Sequence, residues 1–459
     1  MTRKNRVTRR RFMKQAAGSA VALSLMSIPR RVLGANERVG LAAVGTAGKA
    51  GGDGGQVGNI TDVVAICDVD SKSLDHASRT YTDAKKYADY RQMFEKEDKR
   101  IDAVMVATPD HHHAPASARA LKLNKHVFCE KPLTHTVREA RVIAELTKKH
   151  KRITQMGTQI HSGDNYRRVV ELVQSGAIGD VTRVHTWVGT QYSGADNPAK
   201  PPVPATLDWD LWLGPAPFRD YHAGLHPFAW RGWWDFGGGG LADMACHHMD
   251  LPFWALGLRH PTSISTQGPE PMADRCPTWL IVDYQFPARE KGKAGHGGFL
   301  GEGSKFAGGP GVHLTWYNGD KRPDDLGKLT ANLPEQARGW GGGNIFQGDK
   351  GYILADYGRH YQFDPDGKPV EIKRPEPYIP RSIGHYAEFI DAIQKNGPTT
   401  CNFDYAGALT EAVLLGNVSF RAQTKVEWDA AKFRVTNSKD ANKWLDKEYR
   451  KGWETVEMV

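Results

Sequence analysis

Five short apolar runs mark the first third of the chain: "RVGLAAVG" (38–45), "DVVAICDVD" (62–70), "IDAVMVATP" (101–109), "HVFCEKP" (126–132) and "ITQMGTQ" (153–159). Four of the five end at Gly, Pro or Asp, and short apolar runs so punctuated read as buried strands. Between several of them, stretches such as "APASARALKLNK" and "TVREARVIAELTKKH" space their apolar residues at helical intervals. Strands alternating with helices predict an α/β doubly wound parallel sheet over residues 36–158.

From about Asn165 the pattern changes. "YRRVVELVQSGAIG" reads as a helix and "VTRVHTWVGTQ" as an alternating strand, followed by loops rich in Pro and Trp. Later runs, "TWLIVDYQF", "VHLTWYNG" and "GYILADYG", are separated by Gly, Pro and Asn turns. They predict an antiparallel sheet in a second domain, residues 159–459. The glycine-rich segments 295–311 and 339–343 are expected to be irregular. "SIGHYAEFIDAIQKNG" and "YAGALTEAVLLGNVSFRAQ" are expected to be helices. No internal repeat is visible.

The chain has 459 residues, 40% hydrophobic and 25% charged, a globular composition with room for two or three domains. The net charge is +9, but much of that excess lies in Arg3, Lys4, Arg6, Arg9, Arg10, Arg11, Lys14, Arg30 and Arg31. Without them the chain is close to neutral and carries no basic stripe, so no nucleic-acid partner is expected. The same N-terminus contains "TRRRFMK", with twin arginines before an apolar run at 16–28. That run is too short, and too rich in Ala, Gly and Ser, for a membrane span. Residues 1–35 are therefore expected to be a twin-arginine export signal cleaved near Ala35, placing the protein in the periplasm or otherwise outside the cytoplasm. No later segment is apolar enough to span a bilayer. Five scattered cysteines show no CxxC pair and no disulfide-like spacing, and an odd count leaves at least one thiol free unless chains pair.

Candidate chemistry sits at the predicted strand ends. "VGTAGKAGG" follows the first strand and, read against G-x-G-x-x-G/A, supplies Gly45, Ala47 in place of the second glycine, and Ala50. With Thr46 and Gly48, these small residues would let a dinucleotide pyrophosphate approach a helix N-terminus. Asp68 ends the next strand about twenty residues on, where a carboxylate takes the adenosine ribose hydroxyls and repels a 2′-phosphate. That favours NAD over NADP, although Lys72 lies nearby.

"GGGGLADMACHHMD" (237–250) leads four glycines into two carboxylates and two histidines. It admits three readings: a metal site, a proton-transfer site, or a helix that happens to carry polar residues. Asp243 and His247 are i, i+4 and share a helix face, whereas His248 points about 100° away. No third or fourth ligand is evident near them, so no metal is expected. Nor can consecutive His111, His112 and His113 all face one ion. They are expected to serve a loop and a helix start.

The fingerprint, the Glu130-Lys131-Pro132 tripeptide and Asp243-x-x-x-His247 together resemble the glucose–fructose oxidoreductase/inositol dehydrogenase family, Gfo/Idh/MocA. The likeness extends over essentially the whole mature chain and, through "WDLWLGPAP" and "WRGWWDFGGGGL", to its exported subgroup. It implies an N-terminal Rossmann domain and a C-terminal α/β domain whose large, mostly antiparallel open sheet often forms an oligomer interface. It implies that Lys131 lies beside the nicotinamide and a substrate hydroxyl, that the Lys131–Pro132 bond is often cis, that His247 is the acid/base, and that Asp243 is its companion carboxylate. Thr108, Pro109, His113 and Glu130 join the expected cofactor set. Tyr166, Arg167, Arg231, Trp233 and His248 are weaker candidates for binding substrate. Ala47 and Ala245 depart from the family pattern, each small for small.

These residues suit hydride chemistry. A histidine takes the hydroxyl proton as hydride leaves the carbinol carbon, and an ammonium steadies the developing alkoxide. An NAD(H)-dependent oxidoreductase acting on a sugar, sugar derivative or polyol is the first expectation. The alternative is a redox-neutral, NAD-dependent glycosidase or lyase working through a transient 3-keto sugar. A non-catalytic sugar-binding protein would have no need of Lys131, Asp243 and His247 together.

Overall fold

The computed structural model describes residues 38–196, 198–290 and 308–454. The expected export signal and most of the glycine-rich segment 295–311 lie outside these residues. Residues Val39–Val459 belong to one compact unit.

The first sheet has six strands: β1 Gly40–Val44, β2 Asp62–Cys67, β3 Lys85–Tyr87, β4 Ala103–Val106, β5 His126–Cys129 and β6 Thr154–Met156. They run parallel in the order β3-β2-β1-β4-β5-β6. β1 and β4 are buried along their whole length. Unbroken apolar strands are what a sheet covered on both faces requires. The covering helices are α1 Lys49–Gly58, α2 Ser71–Ser78, α3 Tyr90–Glu97, α4 His113–Lys122 and α5 Val137–His150. α5 begins with a capping box: the Thr136 side chain accepts from the Glu139 backbone N–H while the Glu139 side chain returns to the backbone of Thr136. It stops at Lys151, in the left-handed region. The strand order reverses between β1 and β4, and their carboxyl ends open the crevice where doubly wound folds bind ligands.

The second sheet has ten strands: β7 Val181–Val188, β8 Ser263–Gln267, β9 Ile281–Phe286, β10 Val312–Asn318, β11 Gly342–Gly348, β12 Gly351–Ala355, β13 His360–Phe363, β14 Pro369–Val370, β15 Val426–Asp429 and β16 Arg434–Val435. Their order is β14-β13-β12-β11-β7-β10-β9-β8-β15-β16. Only β7 and β10 pair in parallel; the sheet is otherwise antiparallel. One face carries Val184, Val282, Tyr284, Leu314, Trp316 and Phe346 into the main core. The other buries Trp187, Ile345, Leu354 and Phe363 against Leu329, Leu333 and Trp340.

Five more helices position the site: α6 Asp164–Gln174, α7 Gly239–His248, α8 Asp250–Leu256 and the late pair α9 His385–Lys395 and α10 Phe403–Ala422. α9 returns to the first sheet, where Phe389 and Ile390 fill a core with Val57, Met105 and Phe128. The expectation of irregular chain at 339–343 is corrected at its end, because Gly342 and Gly343 open β11. A Cβ on Gly343 would stand 2.7 Å from the Ala355 carbonyl and 3.2 Å from the Trp187 ring. The missing side chain therefore allows close strand pairing rather than breaking the strand.

Candidate active site

The cofactor turn follows β1. Gly45 has φ +92°, and a Cβ there would lie 2.6 Å from the Ala107 carbonyl. Gly48, at φ +57°, caps α1, and a Cβ on it would meet nothing within 4 Å. The turn is thus pressed against β4 on one side and open on the other, the shape a pyrophosphate needs. Ala47 and Gly48 are exposed. Asp68 sits beside the turn: its carboxylate accepts from the Thr46 N–H and hydroxyl, both at 2.9 Å, and from the Asp70 N–H at 3.0 Å. Burial raises its pKa, and these hydrogen bonds oppose the shift.

Across the crevice, β4 runs into Thr108 and Pro109, and β5 into Glu130 and Lys131. His113 ties the two strand ends together, its ring nitrogens lying 2.7 Å from the Pro132 carbonyl and 2.9 Å from that of Thr108. Burial pushes its pKa down to about 4, so it is neutral at pH 7. The Lys131–Pro132 bond is cis, as is His226–Pro227. Glu130 is buried and accepts from Gln159 at 2.7 Å, with the Lys49 ammonium 3.1 Å away. Burial first, and then the charge of Asp53, raises its pKa.

Lys131 reaches α7. Its ammonium donates to the Asp243 carboxylate at 2.7 Å and to the Asp243 backbone carbonyl at 3.0 Å. Arg231 donates to the same carboxylate oxygen at 2.9 Å. Burial alone would raise the Asp243 pKa, but the two cations outweigh it and hold the carboxyl below its ordinary range. Burial likewise opposes the charge on Lys131, and Asp243 overcomes it, leaving the lysine above its ordinary value. Two cations thus share one anion at the end of β5.

His247 lies one turn further along α7, only partly buried. Among the described residues its imidazole has no hydrogen-bond partner. Burial and the nearby Lys131 charge drive its pKa well below 6.5. It is therefore a neutral imidazole on the helix face that carries Asp243, suited to accept a proton. Asp110 is buried near Asp243, and burial together with that negative charge pushes its pKa up to about 8.

The weaker candidates divide. Arg231 joins the cluster, its guanidinium lying between the rings of Phe228 (4.4 Å) and Trp230 (4.2 Å). Tyr166 is fully buried, and its hydroxyl donates to the His247 backbone carbonyl at 3.3 Å, which braces α7 from behind. His248 turns away: its ring stacks on Tyr357 at 4.9 Å, with Nε2 3.2 Å from the Tyr357 hydroxyl. Trp233 and Arg167 do not join the cluster. The Trp233 ring lies against His222 and Arg219 and its N–H donates to the Gly224 carbonyl, so it has no free face for a sugar. Arg167 is buried and donates to the Pro380 carbonyl at 2.5 Å. The glycines before Asp243 also serve packing rather than ligand approach. A Cβ on Gly239 would meet Cys276 at 2.8 Å, and one on Gly240 would meet Asn318 at 2.8 Å.

Sequence reading missed Asp110, Tyr192 and Phe228. Tyr192 sits edge-on to Phe228 at 5.9 Å, and its pKa is raised by burial and by Asp243. Phe228 is 55% exposed, which places a free aromatic face beside the cluster. The only signal for these two was the abundance of aromatics in unpatterned loops.

His111 and His112 are buried, and each points Nε2 at the Trp212 carbonyl, 3.0 Å away, so both serve the loop. Asp250 makes its hydrogen bonds to residues outside the Lys131–Asp243 cluster. It pairs with His161 at 2.9 Å and accepts from Tyr405 at 2.7 Å, with Cys401 close by. These three buried groups stand within metal-ligand reach of one another, but the carboxylate is already satisfied by hydrogen bonds. All five cysteines are buried and unpaired.

Two family models match the chain: an oxidoreductase-family NAD-binding Rossmann fold at residues 38–158, and the C-terminal alpha/beta domain of the same family at 163–292. Together they span more than half of the sequence. The chain belongs to the Gfo/Idh/MocA oxidoreductase family. Within it, inositol 2-dehydrogenase of Salmonella paratyphi B is 32% identical over 139 residues, which cover 30% of this chain and 40% of that protein. A glycosyl hydrolase family 109 protein of Shewanella pealeana is 25% identical over 207 residues, 38% of this chain and 44% of that one. Each match therefore spans less than half of its curated relative. Among solved structures, aldose-aldose oxidoreductase from Caulobacter crescentus, complexed with glycerol, aligns with a TM-score of 0.56 over 85% of this chain and 100% of its own, at 16% identity. At that identity the likeness is one of fold. No helix among the described residues of this Gfo/Idh/MocA protein is long and apolar enough to cross a membrane.

Proposed function

We propose that this protein is an NAD(H)-dependent oxidoreductase acting on a carbinol or ketone of a sugar, sugar derivative or polyol. One observation carries the reading: the Lys131 ammonium, held by Asp243 at a strand end, shares a crevice with the neutral, partly exposed His247 and the open Gly45–Gly48 turn.

The described residues fit a dinucleotide. The Gly45-Thr46-Ala47-Gly48 turn and the N-terminus of α1 would hold its pyrophosphate, Asp68 its adenosine ribose, and Thr108, Pro109, Glu130 and Lys131 the nicotinamide end. Asp68 favours NAD over NADP. When bound, the cofactor supplies the hydride acceptor or donor. An imidazole nitrogen of His247 takes the substrate hydroxyl proton. Lys131 Nζ donates to the same oxygen and steadies negative charge there. Asp243 fixes the lysine in place and keeps it charged. Arg231, which gives one N–H to Asp243, orients the substrate.

The N-terminal twin arginines support export of a protein folded and loaded with cofactor in the cytoplasm. Outside it, a retained cofactor requires a closed cycle, in which one substrate is oxidised and a second carbonyl reduced. The ten-stranded sheet would form a homo-oligomer interface. The glycosyl hydrolase family 109 relative supports a second reading, a redox-neutral glycosidase or lyase working through a transient 3-keto sugar.

The test is to denature purified mature protein with no cofactor added, assay released NAD or NADH, and offer the native enzyme sugars and aryl glycosides. Bound nucleotide with sugar oxidation that cycles only when a second carbonyl is present supports the oxidoreductase. Aglycone release without net NADH supports the second reading. No nucleotide bound, and none taken up, overturns both.

A further inference from the structure

A segment on the rim of the crevice belongs to neither the fingerprint nor the catalytic cluster. Its first anchor lies just past β2. Ser71 donates to the Thr206 carbonyl from its N–H (2.9 Å) and its hydroxyl (3.2 Å), and Asp208 returns its N–H to the Val69 carbonyl at 2.9 Å. Asp70 and Leu207 thereby form an isolated antiparallel bridge. The second anchor lies just past β4, where His111 and His112 both point Nε2 at the Trp212 carbonyl. β1 lies between β2 and β4 in the sheet. The segment is therefore tied to the strands on either side of β1, whose carboxyl end carries the Gly45–Gly48 turn.

The segment is stiffened by its own core. Leu207, Trp212, Leu213, Leu225, Trp230, Trp233 and Phe236 are buried together, and Val69 of the first domain packs on them. Trp209 stacks on Trp212 at 4.6 Å, and its N–H donates to the Arg219 carbonyl. From there the chain runs along the crevice. His226 comes within electrostatic reach of Asp70 and Asp68. Phe228 gives its carbonyl to Arg231, which holds Asp243. One segment thus spans from Asp68 to the reaction cluster, while the nearby turn leaves Ala47 and Gly48 exposed.

We propose that residues 204–230 are a clasp that closes over the bound dinucleotide and prevents its exchange during turnover. The proposal rests on the cofactor reading above. It extends the nucleotide site into the second domain and supplies a physical means of retention for an enzyme working where no free NAD is at hand.

The probe is adenine-labelled NAD, and the readout is its rate of exchange with nucleotide already in the protein, measured without substrate. Ser71→Pro removes both donors to Thr206. Ser71 is the first residue of α2, where proline is tolerated, and Asp70 at φ −100°, ψ 108° is already extended, as a residue before proline must be. The variant is expected to melt with wild type and to exchange nucleotide at least ~10-fold faster. The converse variant pairs Asp70→Cys with Leu207→Cys across the bridge. Non-hydrogen-bonded antiparallel pairs lie about 4.5 Å apart at Cα, within disulfide range. Oxidised, it is expected to exchange at least ~10-fold more slowly than the same protein reduced. Equal rates in wild type and Ser71→Pro, together with no effect of oxidation on the cysteine pair, would overturn the clasp while leaving the cofactor reading intact. Wild type that binds no NAD would overturn the cofactor reading and the clasp with it.

Discussion

Lys131 holds Asp243 twice, donating from one ammonium to its carboxylate at 2.7 Å and to its backbone carbonyl at 3.0 Å. The second bond ties the lysine to the frame of α7 as well as to a side chain. Lys131 and His247, from different domains, are thereby held in one constellation. Asp243→Asn removes the anion that overcomes the burial penalty on Lys131 and leaves Arg231 facing the lysine as a like charge. The expected result is a loss of about 10²–10³ in kcat/KM and an alkaline limb of the rate profile at lower pH than in wild type. Steady-state kinetics from pH 6 to 10 on both proteins would check it, and an unmoved alkaline limb would count against the pairing.

On the proposed chemistry, His247 sets the acid limb. Its pKa is well below 6.5, so the neutral, proton-accepting form is present on the alkaline side of that value and is lost as pH falls through it. kcat/KM for substrate oxidation is therefore expected to be flat across neutral pH and to fall only well below pH 6.5. His247→Ala should lower the rate by about 10²–10⁴ while bound NAD, measured after denaturation, stays at the wild-type level. Full activity in that variant would remove His247 from the chemistry.

Asp68 does two things at once. On the proposed reading it meets the adenosine ribose, and it takes two hydrogen bonds from Thr46 that hold the turn. Asp68→Ala is expected to weaken NAD by about 10-fold, each 1.4 kcal/mol being tenfold, and to narrow the preference over NADP. Titration of the variant with both nucleotides decides it. Unchanged NAD affinity would take Asp68 out of the site.

Much of this frame was legible from the apolar runs. A strand covered on both faces writes itself as an unbroken stretch such as "GLAAV", and its end as glycine or a carboxylate. The pairing of Asp243 with His247 on one helix face followed from spacing alone. The sequence pattern could not say that Asp243 serves Lys131, because the two residues meet from different domains. Trp233 and Arg167 show the converse. A chain of letters says that an aromatic ring or a guanidinium is near a site but not which neighbour covers its face, and here His222 and the Pro380 carbonyl reached them first. The clasp was invisible for a further reason: residues 204–230 have no sustained helical or strand period, and their order comes from long-range aromatic packing and from hydrogen bonds to residues just past two distant strand ends.

Asp110 makes a prediction about stability rather than rate. Its carboxyl is buried near Asp243, and its pKa in the folded protein is about 8 against an ordinary value of 3.8. A raised folded pKa means that the folded state keeps a proton which the unfolded chain has released. The stability this contributes is complete below about pH 4 and is lost as pH rises towards 8. Asp110→Asn keeps the size of the group and removes the titration. Relative to the variant, wild type should therefore lose on the order of a few kcal/mol between pH 5 and 8. Other groups titrate in that window, including Glu130, so the quantity to measure is the difference in denaturant unfolding free energy between the two proteins at each pH. A difference that stays constant from pH 5 to 8 would mean that Asp110 is ionised in the folded protein, with its charge balanced by Lys131 and Arg231.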